Sequence, residues 1–277
     1  MISTRSPLAV LFASVVVLAS GEAYALDKAT TPRAPLASAK LRTSIKQAWL
    51  SAIANDNAGK LLLLITENNP KELLHLTASN GKSALMVAAK KGELRLVETL
   101  VRHGVNVNEM TETQGTPFMF AILGNHQDIA EWLLERGADV NTVGSNGWTA
   151  LTIAAAKGQV RLLQWLIEQD ADTQVRDVYR FTPLLRAVSN GHVDAAAVLL
   201  SLVETDVNAR DEYDNTSLHH AVLAGNVPMV SLLLEHQADP ALVNRDGESA
   251  LKMARELMDD SALILEALSD ASQRRER

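Results

Sequence analysis

From residue 83 onward the apolar positions fall into short blocks that return at a fixed interval. Ser83-Ala84-Leu85, Thr116-Pro117-Phe118, Thr149-Ala150-Leu151, Thr182-Pro183-Leu184, Thr216-Ser217-Leu218 and Ser249-Ala250-Leu251 start 33, 33, 33, 34 and 33 residues apart. Small residues follow each block at Ala88-Ala89, Ala121, Ala154-Ala155, Ala187, Ala221 and Ala254. A turn residue comes next at Gly92, Asn125, Gly158, Gly191 and Gly225. Leucine pairs then lead to Gly104, Gly137-Ala138-Asp139, Ala171-Asp172 and Ala238-Asp239, with Asn108, Asn141 and Asn208 at one shared position. A period of this length marks stacked supersecondary units.

Each recurring position has a physical role. Thr or Ser opens a first helix as an N-cap, and Pro117 and Pro183 suit its first turn, where a missing N–H costs nothing. Alanines let a second helix approach closely. Gly or Asn between the helices permits the left-handed conformation that ends a helix. Ile129, Leu133 and Leu134 form the inward stripe of a second helix. No unit encloses its own core, so stacking on neighbours stabilises the array.

The ends depart from this pattern. Residues 1–25 combine Arg5, an apolar run from Leu8 to Ser20 and the small-x-small site Ala23-Tyr24-Ala25, the three parts of a secretory signal peptide, with cleavage expected after Ala25. The run stops at Gly21-Glu22, short of the roughly 20 apolar residues a membrane-spanning helix needs. Residues 26–40 read as a flexible leader rich in Ala, Pro, Thr and Ser. Residues 41–78 read as N-terminal capping helices forming a degenerate repeat, residues 245–271 as a C-terminal capping repeat with Met258-Asp259-Asp260 in place of the glycine turn, and residues 272–277 as a charged tail.

The chain resembles the ankyrin repeat family, as found in exported bacterial proteins. The units run 79–111, 112–144, 145–177, 178–211 and 212–244. The resemblance implies an all-α solenoid of stacked helix-turn-helix units with projecting β-hairpin-like loops. Gln114, Arg180 and Asp214 stand where the family has a hairpin glycine, and one extra residue falls around Leu202 to Glu204. These departures leave the loop geometry open there.

Composition narrows function. A 47% hydrophobic content excludes a wholly disordered chain, and the absence of Cys excludes a disulfide framework, thiolate metal ligands and a lipid-anchored cysteine. A net charge of −7 argues against a nucleic-acid partner. No phosphate loop, His-Glu-x-x-His, nucleophile elbow or calcium loop is present. The expectation is therefore no catalytic residue, no metal, no cofactor and no enzyme activity. His126 and His192 follow the turn residue, and the resemblance gives His219 a hydrogen bond across repeats. His103 and His236 lie near second-helix ends, where a cation suits the dipole. Asp139, Asp172, Asp206 and Asp239 share a repeat position, which reads as loop geometry.

In this family the hairpin tips and the concave face of the first helices bind partners. Aromatics make up only 4% of the chain, yet Trp148, Tyr179, Phe181 and Tyr213 fall in three consecutive hairpins. Trp and Tyr dominate interface hot spots. The alternative is that these rings pack on the next hairpin as spacers. Glu112, Glu212, Asn215 and Arg245 complete the candidate partner-binding set. Trp132 and Trp165, one repeat apart, read as packing between second helices, and Phe118 as core. The expected function is a monomeric, periplasmic protein-binding module without a membrane span, acting as an immunity protein for a toxin or protecting a periplasmic enzyme. One alternative is a haem-handling accessory using His219 or His220. Another is a secreted effector acting on host proteins.

Overall fold

A computed structural model of the chain describes residues 34–68, 71–256 and 262–275. The signal segment, most of the leader and the Met258-Asp259-Asp260 turn lie outside these residues. The chain divides into two units, residues 1–42 and 43–277. The first is described only from Ala34, where α1 (Ala34–Ala54) begins. Helix thus starts inside the segment read as a leader. Leu-Ala-Ser-Ala-Lys, residues 36–40, is a helix-forming run, and Pro35 sits in the first turn, where it is tolerated.

The second unit is built of helix pairs. After α2 (Ala58–Asn68) and a short 3-10 turn (Lys71–Leu73), the first helices of successive repeats are α3 (Ala84–Lys91), α5 (Pro117–Leu123), α7 (Ala150–Lys157), α9 (Pro183–Ser189), α11 (Ser217–Leu223) and α13 (Ala250–Glu256). They alternate with second helices α4 (Leu94–Arg102), α6 (Gln127–Leu134), α8 (Val160–Glu168), α10 (Val193–Leu200), α12 (Val227–Glu235) and α14 (Ala262–Arg275). First helices pack on first helices in one layer, and each pairs with its own second helix in another. The fold is the all-α repeat stack expected, and α14 continues as helix through Arg275 into the segment read as a tail.

The N-caps work as their chemistry requires. Ser83, Thr116, Thr149 and Thr182 accept from the backbone N–H groups of Met86, Met119, Thr152 and Leu185. Between the layers lies a continuous core that includes Leu85, Ala88, Phe118, Ala121, Leu151, Ala154, Ala187 and Ala221. Alanines here bring the helices close. Trp165 joins it, its ring 6.3 Å from that of Phe118, whereas Trp132 is partly exposed and stacks under the Arg136 guanidinium at 3.7 Å. In the N-terminal cap Trp49, Ile53 and Leu61 are fully buried. Asp56 ties this cap to the first repeat through Lys82 (2.9 Å) and Lys90 (2.7 Å). Burial raises its carboxyl, but the two lysines outweigh that and hold it below the usual carboxylate range.

The three residues that replace the hairpin glycine keep its geometry. Gln114, Arg180 and Asp214 have φ of 60°, 62° and 61°, beside 78°, 80° and 74° at Gly81, Gly147 and Gly247. The hairpin therefore survives at the cost of non-glycine residues in the left-handed region. The extra residue of the fourth repeat is absorbed after α10, where Val203 is fully exposed and the Thr205 hydroxyl donates to the Leu199 carbonyl at 2.6 Å. The recurring aspartates are turn-formers. Asp139, Asp172, Asp206 and Asp239 each accept from the backbone N–H two residues on.

Candidate functional site

Six hairpins precede the first helices, each closed by a backbone bond from Ala78, Thr111, Gly144, Asp177, Asp211 or Asn244 to the carbonyl four residues on. The tips are also joined to one another. Glu112, Ser145, Val178, Glu212 and Arg245 donate backbone N–H groups to the carbonyls of Asn80, Thr113, Asn146, Tyr179 and Tyr213 on the preceding hairpin, at 2.9 to 3.1 Å. One ladder thus links every tip from the first repeat to the last cap. A tip side chain is mounted on a braced frame.

Three of the four tip aromatics converge on a residue that the sequence had not marked. Arg186, on α9, lies with its guanidinium carbon 4.2 Å from the Phe181 ring centroid, 5.2 Å from Trp148 and 5.9 Å from Tyr179. Its Nε donates to Asp177 Oδ2 at 2.7 Å, and Nη2 donates to the same oxygen. Asp177 Oδ1 accepts from the backbone N–H groups of Tyr179 (2.9 Å) and Phe181 (3.0 Å). The carboxylate folds the hairpin with one oxygen and fixes the cation with the other.

The next repeat restates the arrangement with different groups. Asp211 Oδ1 accepts from Tyr213 and Asn215 N–H, and His220 Nε2 donates to Asp211 Oδ2 at 2.9 Å. The His220 ring lies 5.2 Å from that of Phe181, which is thus flanked by Arg186 and His220. The pairs Asp177/Arg186 and Asp211/His220 both sit nine residues apart, a signal that repeat alignment contains but single-motif searching does not reveal.

The candidate residues divide by environment. Tyr179 and Tyr213 are exposed, at 52% and 57%, whereas Trp148 and Phe181 are half-buried. Trp148 packs against the core. Tyr213 is not part of the Arg186 cluster, and the Arg245 guanidinium stands 5.8 Å from its ring. Arg245 Nη2 donates to the Glu212 carbonyl, so these residues hold one another. Asn215 has both ends of its amide engaged, with Asp211 and Asn244. Glu112 is exposed on the second repeat's hairpin, one hairpin before that of Trp148.

Beside the cluster is an open groove of about 280 Å³, walled by Trp148, Met119, Phe120, Leu123 and Ile153, with Glu112 at its rim. Phe120, Ile153, Arg186 and His220 hold one repeat position, which is apolar in the groove wall and carries Arg186 one repeat further on. A larger cleft of 570 Å³ between α12 and α14 has Glu235 and Asp270 in its lining but no aromatic or cation, and carries no comparable arrangement.

His219 and His192 are fixtures of the stack. His219 is fully buried; its Nε2 donates to the Glu248 carbonyl at 3.0 Å, and its Nδ1 accepts from Thr216 N–H and hydroxyl. Burial holds it below the usual imidazole range, with the bond to Glu248 opposing. Both ring nitrogens are occupied, leaving none to ligate haem iron. His192 Nε2 donates to the Ala156 carbonyl of the preceding repeat at 3.1 Å. Among the described residues no group of three His, Cys, Asp or Glu is placed to hold a metal ion, and no helix is long and apolar enough to cross a membrane.

A family model described as ankyrin repeats (3 copies) matches residues 49–144 and 140–211. A second, ankyrin repeats (many copies), matches residues 202–254. The match begins at Trp49, well inside the segment read as a capping region. No curated protein matches the chain.

Proposed function

The chain belongs to the ankyrin repeat family, whose repeats are protein–protein interaction modules, and from that premise we propose that it binds its partner through the hairpin tips and first-helix face of repeats two to five. The observation that carries this reading is the cluster at Arg186. Exposed aromatic surface at Tyr179, a half-buried Trp148 and a fixed guanidinium lie on a frame braced by backbone bonds. Rigid aromatic and arginine anchors cost little side-chain entropy on binding, which is why they dominate hot spots.

The partner is met after export. The Arg5, Leu8 to Ser20 and Ala23-Tyr24-Ala25 pattern supports delivery to a bacterial periplasm, and a chain without cysteine is indifferent to that oxidising compartment. There the protein acts by occupancy, neutralising a toxin or shielding an enzyme, and functions as a monomer. A photo-crosslinking residue placed at Tyr179 tests the reading. Capture of one protein from the osmotic-shock fraction, lost when Trp148 is replaced by Ala, is the expected result. Capture only from culture medium or host cells points instead to a secreted effector. A Soret band in the purified protein would turn the reading toward haem handling, and absence of any Trp148-dependent adduct overturns the binding site.

A further inference from the structure

Charge is divided between the two helix layers. The whole chain carries 33 acidic against 26 basic residues. Yet α3, α5, α7, α9 and α11 contain no Asp or Glu; their charged residues are Lys90, Lys91, Lys157 and Arg186. The second helices hold carboxylates as well as cations, with Glu98, Asp128, Glu131, Glu168, Asp194 and Glu235 beside Arg95, Arg102 and Arg161 on α4 to α12. In a net-acidic protein, these five first helices thus carry basic charges and no acidic ones. Burial excludes carboxylates from most positions of these helices, and the positions left open at Lys91 and Lys157 are both basic.

Arg186 adds direction to this. Its Nε and Nη2 both serve Asp177 Oδ2, and its Nη1 edge makes no hydrogen bond among the described residues. The side chain is 17% exposed, which leaves it within reach of a ligand. Its geometry is already fixed by Asp177 and the surrounding rings, which removes most of the ordering cost of a charge-assisted bond. One repeat earlier, the equivalent position is Ile153, in the wall of the 280 Å³ groove. A segment running along the stack therefore meets an apolar recess and then a cation.

We infer that this face is built for an acidic peptide segment of the partner, carrying one bulky apolar side chain for the groove and a carboxylate for Arg186. The inference rests on the binding reading above and names the chemistry of its ligand. Lys91 and Lys157 supply the longer-range attraction, and Glu112, in the groove lining on the second repeat's hairpin, fixes polarity by repelling the carboxylate from that side. The apolar residue enters between Phe120 and Trp148, and the acidic residue follows toward the fourth repeat.

Selection of a random-peptide display library on the purified full chain tests this. Enriched peptides are expected to pair an aromatic or large aliphatic residue with Asp or Glu, and to bind more weakly as salt is raised. Lys157→Glu, an exposed site, should lower their affinity about 10-fold, and Arg186→Lys, which keeps a cation for Asp177, by a similar factor. Enriched peptides with no acidic bias that still require Trp148 overturn the inference and leave the binding site standing. Peptides indifferent to Trp148→Ala overturn both. An empty selection overturns the inference, and the Tyr179 crosslink then decides the wider reading independently.

Discussion

The Asp177 carboxylate binds the Arg186 guanidinium with one oxygen and the hairpin backbone with the other, so a single side chain couples the fourth tip to α9. Asp177 is 5% exposed and Arg186 keeps the only cation at its Oδ2 among the described residues. Removing the cation strands a buried carboxylate, which costs about 3 kcal/mol. Arg186→Met should lower the urea-unfolding free energy by that amount, and adding Asp177→Asn should recover most of it. A single variant as stable as the parent would show that solvent already satisfies Asp177.

Tyr179 and Tyr213 project from the frame, whereas Trp148 packs into it. Tyr179→Ala and Tyr213→Ala should leave stability within about 0.5 kcal/mol of the parent. Partner binding should weaken by about 2 kcal/mol at each residue that is a hot spot. Trp148→Ala should lose both binding and stability, since it empties part of the packing below the tip. Thermal melts and titration with the captured partner separate the two effects. A Trp148 variant with an unchanged midpoint would place its ring outside the packed frame.

The repeat, its caps and its turns were legible because each rests on local chemistry. Thr149 caps α7 and Asp172 folds its own loop whatever the partner of that surface. Helix at Ala34 and beyond Gln273 was not, because weak propensity and missing repeat motifs gave no boundary to read. The aromatic tips were legible from their rarity. Their grouping was not, for Arg186 occupies a position that is apolar at Phe120 and Ile153, and nothing local distinguishes it. Only the paired change at Asp177 and Arg186, repeated at Asp211 and His220, carries that signal. Gln114, Arg180 and Asp214 mislead in the other direction, since the frame imposes a left-handed conformation their side chains disfavour.

Two glycines test how far that frame tolerates change. Gly147 and Gly247 have φ of 80° and 74°, so alanine is strained by about 1 kcal/mol at either. They differ in surroundings. A Cβ at Gly147 would stand 2.5 Å from the Asp177 Cα, whereas at Gly247 nothing lies within 4 Å. Gly247→Ala should therefore cost only the conformational strain. Gly147→Ala should cost clearly more and weaken partner binding too, because it pushes apart the hairpins that carry Trp148 and Asp177. Equal losses by urea titration would mean that the hairpins separate freely.

Two groups shielded by the fold should tilt stability with pH in opposite senses. Burial lowers His219, so the unfolded chain binds its proton more readily than the fold does. Its contribution is complete above the ordinary imidazole value of about 6.5 and is lost as pH falls through that value toward the depressed one. Glu109, half-buried with its carboxylate accepting from the Ser83 hydroxyl, is raised by burial, the hydroxyl opposing. The fold therefore holds that proton longer than the unfolded chain does, and stability falls as pH rises from the ordinary carboxylate value of about 4.3 through the raised one. Urea midpoints measured across pH should show His219→Gln flattening the decline below pH of about 6.5, at some loss of stability near neutrality because the Thr216 bonds go. Glu109→Gln should instead stabilise the protein near neutrality, since an amide keeps a hydrogen bond to Ser83 without burying a charge. A Glu109 variant less stable than the parent at neutral pH would show that the bond to Ser83 outweighs the cost of burying the charge.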